Sequence, residues 1–178
     1  HLLELGHRHF LYLPGPKYNL SQTRRYAGIM DALSEANVPA SNIREIDYHT
    51  VFGSSAESTS SYKSYEELFF PVNYTAVIGF NDLQSYSAME ILQKKGYRIP
   101  EDISLISFDN LRKTHTYLPP LTSIADNSEK SIADTAVSIL LDKIRNPSSE
   151  ISSKVLPVSI FDGHTTGPIN ETFAHSFE

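Results

Sequence analysis

The 178-residue chain contains no cysteine, which excludes disulfides, thiolate nucleophiles and cysteine metal sites, and fits a reducing compartment. No apolar run reaches the roughly 18 to 20 residues needed to cross a bilayer, and no charged segment followed by an apolar one opens the chain as a signal peptide would. No membrane partner is therefore expected, and the expected location is cytoplasmic. Positive charge is short as well: 15 Lys and Arg against 21 Asp and Glu leave a net charge of -6. A chain of that balance has no electrostatic footprint for nucleic acid, so any DNA contact must come from elsewhere. Catalytic signatures are missing too: G-x-S-x-G, G-x-x-x-x-G-K-[ST], G-x-G-x-x-G and H-E-x-x-H do not occur. No enzyme, cofactor or metal is expected.

What is present suits one ordinary domain, with 40% hydrophobic residues to build a core. The chain opens on Leu2-Leu3-Glu4-Leu5-Gly6, which reads as the last turn and C-cap of a helix whose beginning is missing. It is therefore read as the back part of a longer protein. Phe10 to Leu13 is an apolar strand closed by Pro14-Gly15-Pro16. A helix over 22–36 follows, capped by Asn19 or Ser21, with Tyr26, Ile29, Met30, Leu33 and Ala36 at helical spacing. Residues 43–48 read as a short strand, 53–64 as a Ser-rich loop, and 62–70 as a short helix stopped before Pro71.

The organising stretch is Thr75 to Asn110. An apolar run from Ala76 to Phe80 ends in Asn81-Asp82, an amphipathic helix runs to Lys95, Gly96 stops it, and a second apolar run from Ile103 to Phe108 ends in Asp109-Asn110. Two strands of one sheet thus finish in amide and carboxylate groups, at the edge where open α/β sheets bind ligands. Beyond Asn110 the chain shows no clear period and reads as a long connection. A helix over 128–145 carries Ile132, Ala136, Ile139, Leu140 and Ile144 near one face. In 154–161, Leu156, Val158 and Ile160 alternate as the inward side of a strand, and 168–178 reads as a polar tail. Alternation of about five strands and four helices predicts an α/β fold, a Rossmann-like parallel sheet with helices on both faces.

Several polar residues, one near the start of the first helix and others at the predicted strand ends, have two readings. Arg25 offers a planar fork of donors for adjacent hydroxyls or a carboxylate, or is an ordinary surface arginine. Asn81 can both give and take a hydrogen bond with a ligand hydroxyl, or cap the helix that begins beside it. Asp109 can accept from two ligand hydroxyls, or form an Asx turn. Tyr48 can stack its ring face on an apolar ligand surface, or simply pack. His7-x-His9 lacks a third ligand at useful spacing and is not read as a metal site.

Taken together, Leu5-Gly6-His7-Arg8, Gly15-Pro16, Arg25-Tyr26-Ala27-Gly28, Asn81-Asp82, Gly96, the run Ile99-Pro100-Glu101-Asp102-Ile103-Ser104, Phe108-Asp109 and Pro119-Pro120-Leu121-Thr122 resemble the effector-binding domain of the lactose-repressor/galactose-repressor (LacI/GalR) family of bacterial transcription regulators. They fall in the family's order from about residue 2 to 166. The resemblance implies a periplasmic-binding-protein-like type I fold. Residues 8–118 and 154–166 would form its second subdomain, a helix within 121–146 would belong to the first, and 167–178 would be the tail. It implies a sugar or sugar-like effector held by Arg25, Asn81, Asp109, Tyr48 and Ser128, with DNA contacted only through a helix-turn-helix headpiece outside this sequence. It also implies a homodimer through Tyr86, Met89 and Tyr117. Ser107 departs from the family, which usually has Gly there, and Phe161-Asp162-Gly163-His164 replaces a common Arg. The apolar face of 128–145 is expected to be exposed, or covered by another copy. The alternatives are a periplasmic-type sugar-binding protein of a transporter, and a receiver-like phosphoacceptor or small enzyme using Asp82 or Asp109.

Overall fold

The computed structural model describes residues 1–46, 65–113, 115–128, 131–150 and 153–175. Tyr48 and the whole Ser-rich stretch, 53–64, lie outside them. The described strands are β1 (Phe10–Leu13), β2 (Ile43–Glu45), β3 (Ala76–Gly79), β4 (Ser104–Phe108), β5 (Thr122–Asp126) and β6 (Val158–Phe161). Between them lie α1 (Leu20–Glu35), α2 (Asp82–Lys94) and α3 (Ile132–Arg145), and a single turn, α4 (Glu171–Ala174), follows β6. One six-stranded sheet has the order β2-β1-β3-β4-β5-β6. β1 to β5 pair in parallel, and β6 joins β5 antiparallel.

Because side chains alternate along a strand, the apolar runs feed both faces of the sheet. Phe10, Tyr12, Ala76, Ile78 and Ile106 pack with Leu33 of α1 on one face. Leu11, Leu13, Val77 and Leu105 pack with Ala88, Ile91 and Leu92 of α2 on the other. α1 and α2 leave β1 and β3 in opposite directions across the sheet, so the strand order reverses between those two strands. A crevice opens at such a point in α/β folds.

Several expectations need correction. The connection after Asn110 contains β5, disguised by Thr122 and Ser123. Both are buried, because their hydroxyls meet the Gly163 and Thr165 amides and the Asp82 carboxylate. Residues 122–126 therefore stay in the main sheet rather than leaving it with the following helix. The last strand is antiparallel, so the sheet is mostly rather than wholly parallel. It is also an edge strand, and Val158 and Ile160 are 65% and 43% exposed instead of inward. The short helix is described over Tyr65–Phe69, as a 3-10 helix; Ala36, by contrast with its expected place in the stripe, is an exposed C-cap.

The tail is docked: Ile169 N–H donates to Leu5 O, and Phe173 packs edge-on against Tyr97. The expected exposure of the α3 face holds. Ile132, Leu140 and Ile144 are each more than half exposed, and the buried residue of that helix is Thr135.

Candidate functional site

The parallel strands deliver their C-terminal ends, Pro14-Gly15, Phe80-Asn81, Asp109-Asn110 and Asp126, to one edge of the sheet. Arg25 reaches that edge from the second turn of α1. Its Nη2 donates to Asp109 Oδ1 at 2.8 Å, and its Nη1 donates to the Phe80 carbonyl. The guanidinium carbon also lies over the rings of Phe80 and Phe108, at 4.8 and 4.6 Å from their centroids. Residues 55 and 84 positions away in sequence thus meet around one cation. With the two side chains 23% and 43% exposed, the ion pair contributes about 1 kcal/mol or less. The pair orients the groups more than it stabilises the fold.

Asp109 sits at φ 98 and Asn110 at φ 48, the left-handed region that ordinary side chains seldom adopt. The backbone is held there by Asp109 N–H donating to Ile124 O and Asn110 N–H donating to Ser123 Oγ. Strain over-determined in this way clusters at ligand sites. Asp82 is the brace. It is 1% exposed, its Oδ2 accepts from Leu111 N–H at 2.6 Å, and its Oδ1 accepts from Ser123 Oγ at 2.7 Å.

The turn after β1 is clamped from both sides of the sheet. Gln22 Oε1 accepts from Gly15 N–H and the Tyr12 hydroxyl, and Gln84 Nε2 donates to Pro14 O. Burial away from water pushes the Tyr12 hydroxyl up to about 12.

An open cavity of about 530 Å³ lies against this edge, lined by Arg25, Phe108, Asp109, Lys113, Asp126 and Ser131 together with apolar residues of β5, α3 and β6. The Ser128 hydroxyl and amide both donate to Asp126 Oδ1. Those bonds, the hydroxyl first, hold the Asp126 carboxyl below its usual range. A second cavity, of about 380 Å³, opens on the α1 face of the sheet. It is lined mostly by apolar side chains such as Leu3, Ile29, Ile106 and Ile124, with Arg24 and Arg25 at its edge. Its walls lack the convergent polar groups of the first.

Of the sequence-predicted site residues, Arg25 and Asp109 meet directly. Asn81 follows Phe80 at the same sheet edge but lines a separate cavity with Pro16, Asn19 and Gln84. It is the N-cap of α2, its Oδ1 accepting from Gln84 N–H at 3.0 Å, so the cap is Asn81 and Asp82 is the brace. Ser128 does not start the returning helix. Ser131 caps it, and Ser128 is turned onto Asp126. Met89 is not an exposed contact residue: it is 8% exposed and packs in the core between α2 and the sheet. Tyr86 is half-buried and donates to Pro119 O, while Tyr117 is 81% exposed.

Phe80, Phe108, Lys113, Asp126 and Ser131 were not among the expected site residues. The signal for the aromatic pair was their place, each immediately before a polar corner, in Phe80-Asn81 and Phe108-Asp109. His7 is buried, with Nδ1 2.9 Å from Thr75 Oγ1 and Nε2 3.0 Å from Ser104 Oγ and from Gly167 O. It ties β3, β4 and the tail together. Among the described residues no group of three or more His, Asp and Glu could hold a metal ion.

Residues 1–166 match the periplasmic binding protein-like domain family. The HTH-type transcriptional repressor PurR of Escherichia coli is 34% identical over 156 residues, covering 86% of this chain and 43% of that protein. Among solved structures, a LacI family transcriptional regulator from Enterococcus faecium with bound ribose superimposes with TM-score 0.75 at 26% identity, over 96% of this chain and 60% of that one. A dimeric Lac repressor with an 11-residue C-terminal deletion gives TM-score 0.74 at 28% identity, with 96% and 59% covered. The chain spans less than half the length of the curated relatives it matches. By its sequence match, its sheet order and the place of its polar strand ends, the chain belongs to the periplasmic binding protein-like domain family, in the branch of the LacI-family regulators.

Proposed function

We propose that this chain is the effector-sensing part of a sugar-responsive transcriptional regulator, and that a small carbohydrate or related polyol binds at the C-terminal edge of its sheet. The observation that carries this reading is the Arg25–Asp109 pair at 2.8 Å beside the open cavity. A guanidinium fork gives hydrogen bonds and a carboxylate only accepts them, so the two together answer hydroxyls that do both. Asn81, next to Phe80 at the same sheet edge, offers its side-chain NH2 as a further donor from the neighbouring cavity. The E. faecium regulator described with bound ribose supports a sugar as the class of ligand.

In this reading the ligand favours one of two states of the protein through differential contacts. The response reaches DNA through a helix-turn-helix headpiece, and the protein works as a homodimer with Tyr117 and Tyr86 at the contact.

Calorimetry of the protein at its full natural length against a panel of pentoses, hexoses and disaccharides tests the reading. Binding is expected for at least one sugar, with at least a tenfold loss in both Arg25→Ala and Asp109→Ala. Binding by no carbohydrate, or unchanged affinity in both variants, overturns it.

A further inference from the structure

The charged groups lining the cavity are balanced: Arg25 and Lys113 against Asp109 and Asp126. Arg25, the cation nearest the ligand edge, already has a carboxylate 2.8 Å away. Lys113 lies close enough to Asp126 to help hold that carboxyl below its usual range. Neither cation is therefore presented as an uncompensated charge, the condition under which a cleft attracts an anion.

The aromatic rings fix this state. Phe80 packs against the bare backbone of Gly15, where a β-carbon would stand 2.6 to 2.7 Å from three ring atoms. The same ring carries the Arg25 guanidinium at 4.8 Å, and Phe80's own carbonyl accepts from Arg25 Nη1. Phe108, one residue before Asp109, holds the cation from its own ring at 4.6 Å. A glycine, two rings and a carboxylate thus set the position of the guanidinium before any ligand arrives. An incoming anion would have to meet Asp109 at close range or pull Arg25 away from both rings. A neutral hydroxyl needs neither, because it can accept from the cation and donate to the carboxylate. The rings also meet the cation with their faces, which leaves recognition to hydrogen bonds rather than to stacking on those faces.

We propose that Phe80, seated on Gly15, and Phe108 are positioning residues that keep Arg25 paired with Asp109, and that the site in consequence selects a neutral polyhydroxyl ligand over its phosphorylated counterpart. This rests on the carbohydrate reading above.

The test is calorimetry of the full-length protein with matched pairs, ribose against ribose 5-phosphate and glucose against glucose 6-phosphate. The neutral member of any pair that binds is expected to bind at least tenfold tighter. Asp109→Asn, which removes the compensating charge, is expected to shrink or invert that ratio. Phe80→Leu and Phe108→Leu are expected to lower it severalfold, while Phe80→Tyr preserves it. A loss of folding alone would not move a ratio between two ligands in this way, and each leucine variant checks the other. A phosphorylated sugar that binds the unsubstituted protein as tightly as its neutral partner overturns the selectivity. A ratio unchanged in both leucine variants overturns the positioning roles. If neither pair binds, the pair is formed from whichever panel sugar binds and its phosphorylated counterpart; if no sugar of the panel binds, the carbohydrate reading itself falls.

Discussion

The Ser85 and Ser107 hydroxyls are hydrogen-bonded at 2.9 Å in the interior, and the Ser85 hydroxyl lies directly over the bare α-carbon of Gly79. Ser107 is the residue that departs from the family's glycine, and Ser85 supplies its partner from α2 while also reaching Asn81 O at 3.1 Å. A β-carbon on Gly79 would stand 1.9 Å from Ser85 Oγ. Gly79→Ala is therefore expected to destabilise the chain by about 1 to 3 kcal/mol through overpacking. The added change Ser85→Ala should recover part of that loss. Urea denaturation of the single and double variants measures both, and a neutral Gly79→Ala would contradict the packing.

The brace at Asp82 predicts a larger effect. Asp82→Ala leaves the Leu111 amide and the Ser123 hydroxyl without their carboxylate, at a cost of about 3 kcal/mol. Because the same loop carries Asp109, ligand affinity should fall in any variant that still folds. Ser123→Ala removes one of the two bonds and should cost about 1 kcal/mol. Equal losses in the two variants would mean that the Leu111 contact contributes nothing.

Hydrophobic period and polar corners were enough to read β1, β3, β4, α1 and α2 from the sequence, because those elements bury continuous apolar residues on a known spacing. β5 was not legible, since its buried positions are Thr122 and Ser123 and their burial depends on partners 40 or more residues away. Arg25 and Asp109 were legible as chemistry, but their meeting was not. It depends on α1 crossing above β3 and β4, and nothing local to either residue encodes that. Met89 shows the opposite error: an apolar residue on a helix was assigned outward, whereas α2 turns it into the core.

His7 makes stability depend on pH. Burial strips water from its charged form and holds its pKa below the ordinary 6.5, with Arg8 lowering it further and the Gly167 carbonyl opposing. The folded state therefore prefers neutral imidazole. The unfolded chain takes up a proton first as the solution is acidified. The contribution is complete above pH 6.5 and is lost as pH falls below 6.5 towards the folded value. Melting temperature should drop between pH 7 and pH 5, and by less in His7→Gln, whose side chain does not titrate. Parallel curves for the two proteins would assign the acid sensitivity to other groups.

The outer face of α3 yields a prediction in which stability and association separate. Leu140 and Ile144 are 58% and 63% exposed, and Val158 of the neighbouring edge strand is 65% exposed. Large apolar side chains exposed along one helix are commonly covered by another surface or promote self-association. In a single copy, replacing these side chains removes almost no packing. Leu140→Glu and Ile144→Lys should therefore change the unfolding free energy of the 178-residue chain by no more than about 0.5 kcal/mol. Both should lower its tendency to associate, as read by light scattering across a concentration series. A loss of about 2 kcal/mol or more in a chain that remains monomeric at every concentration would mean that the helix packs against its own sheet through this face. The balance between α3 and the edge strand β6 would then have to be redrawn, since a fully packed α3 would close the cavity that Asp126, Ser131 and Val158 line together.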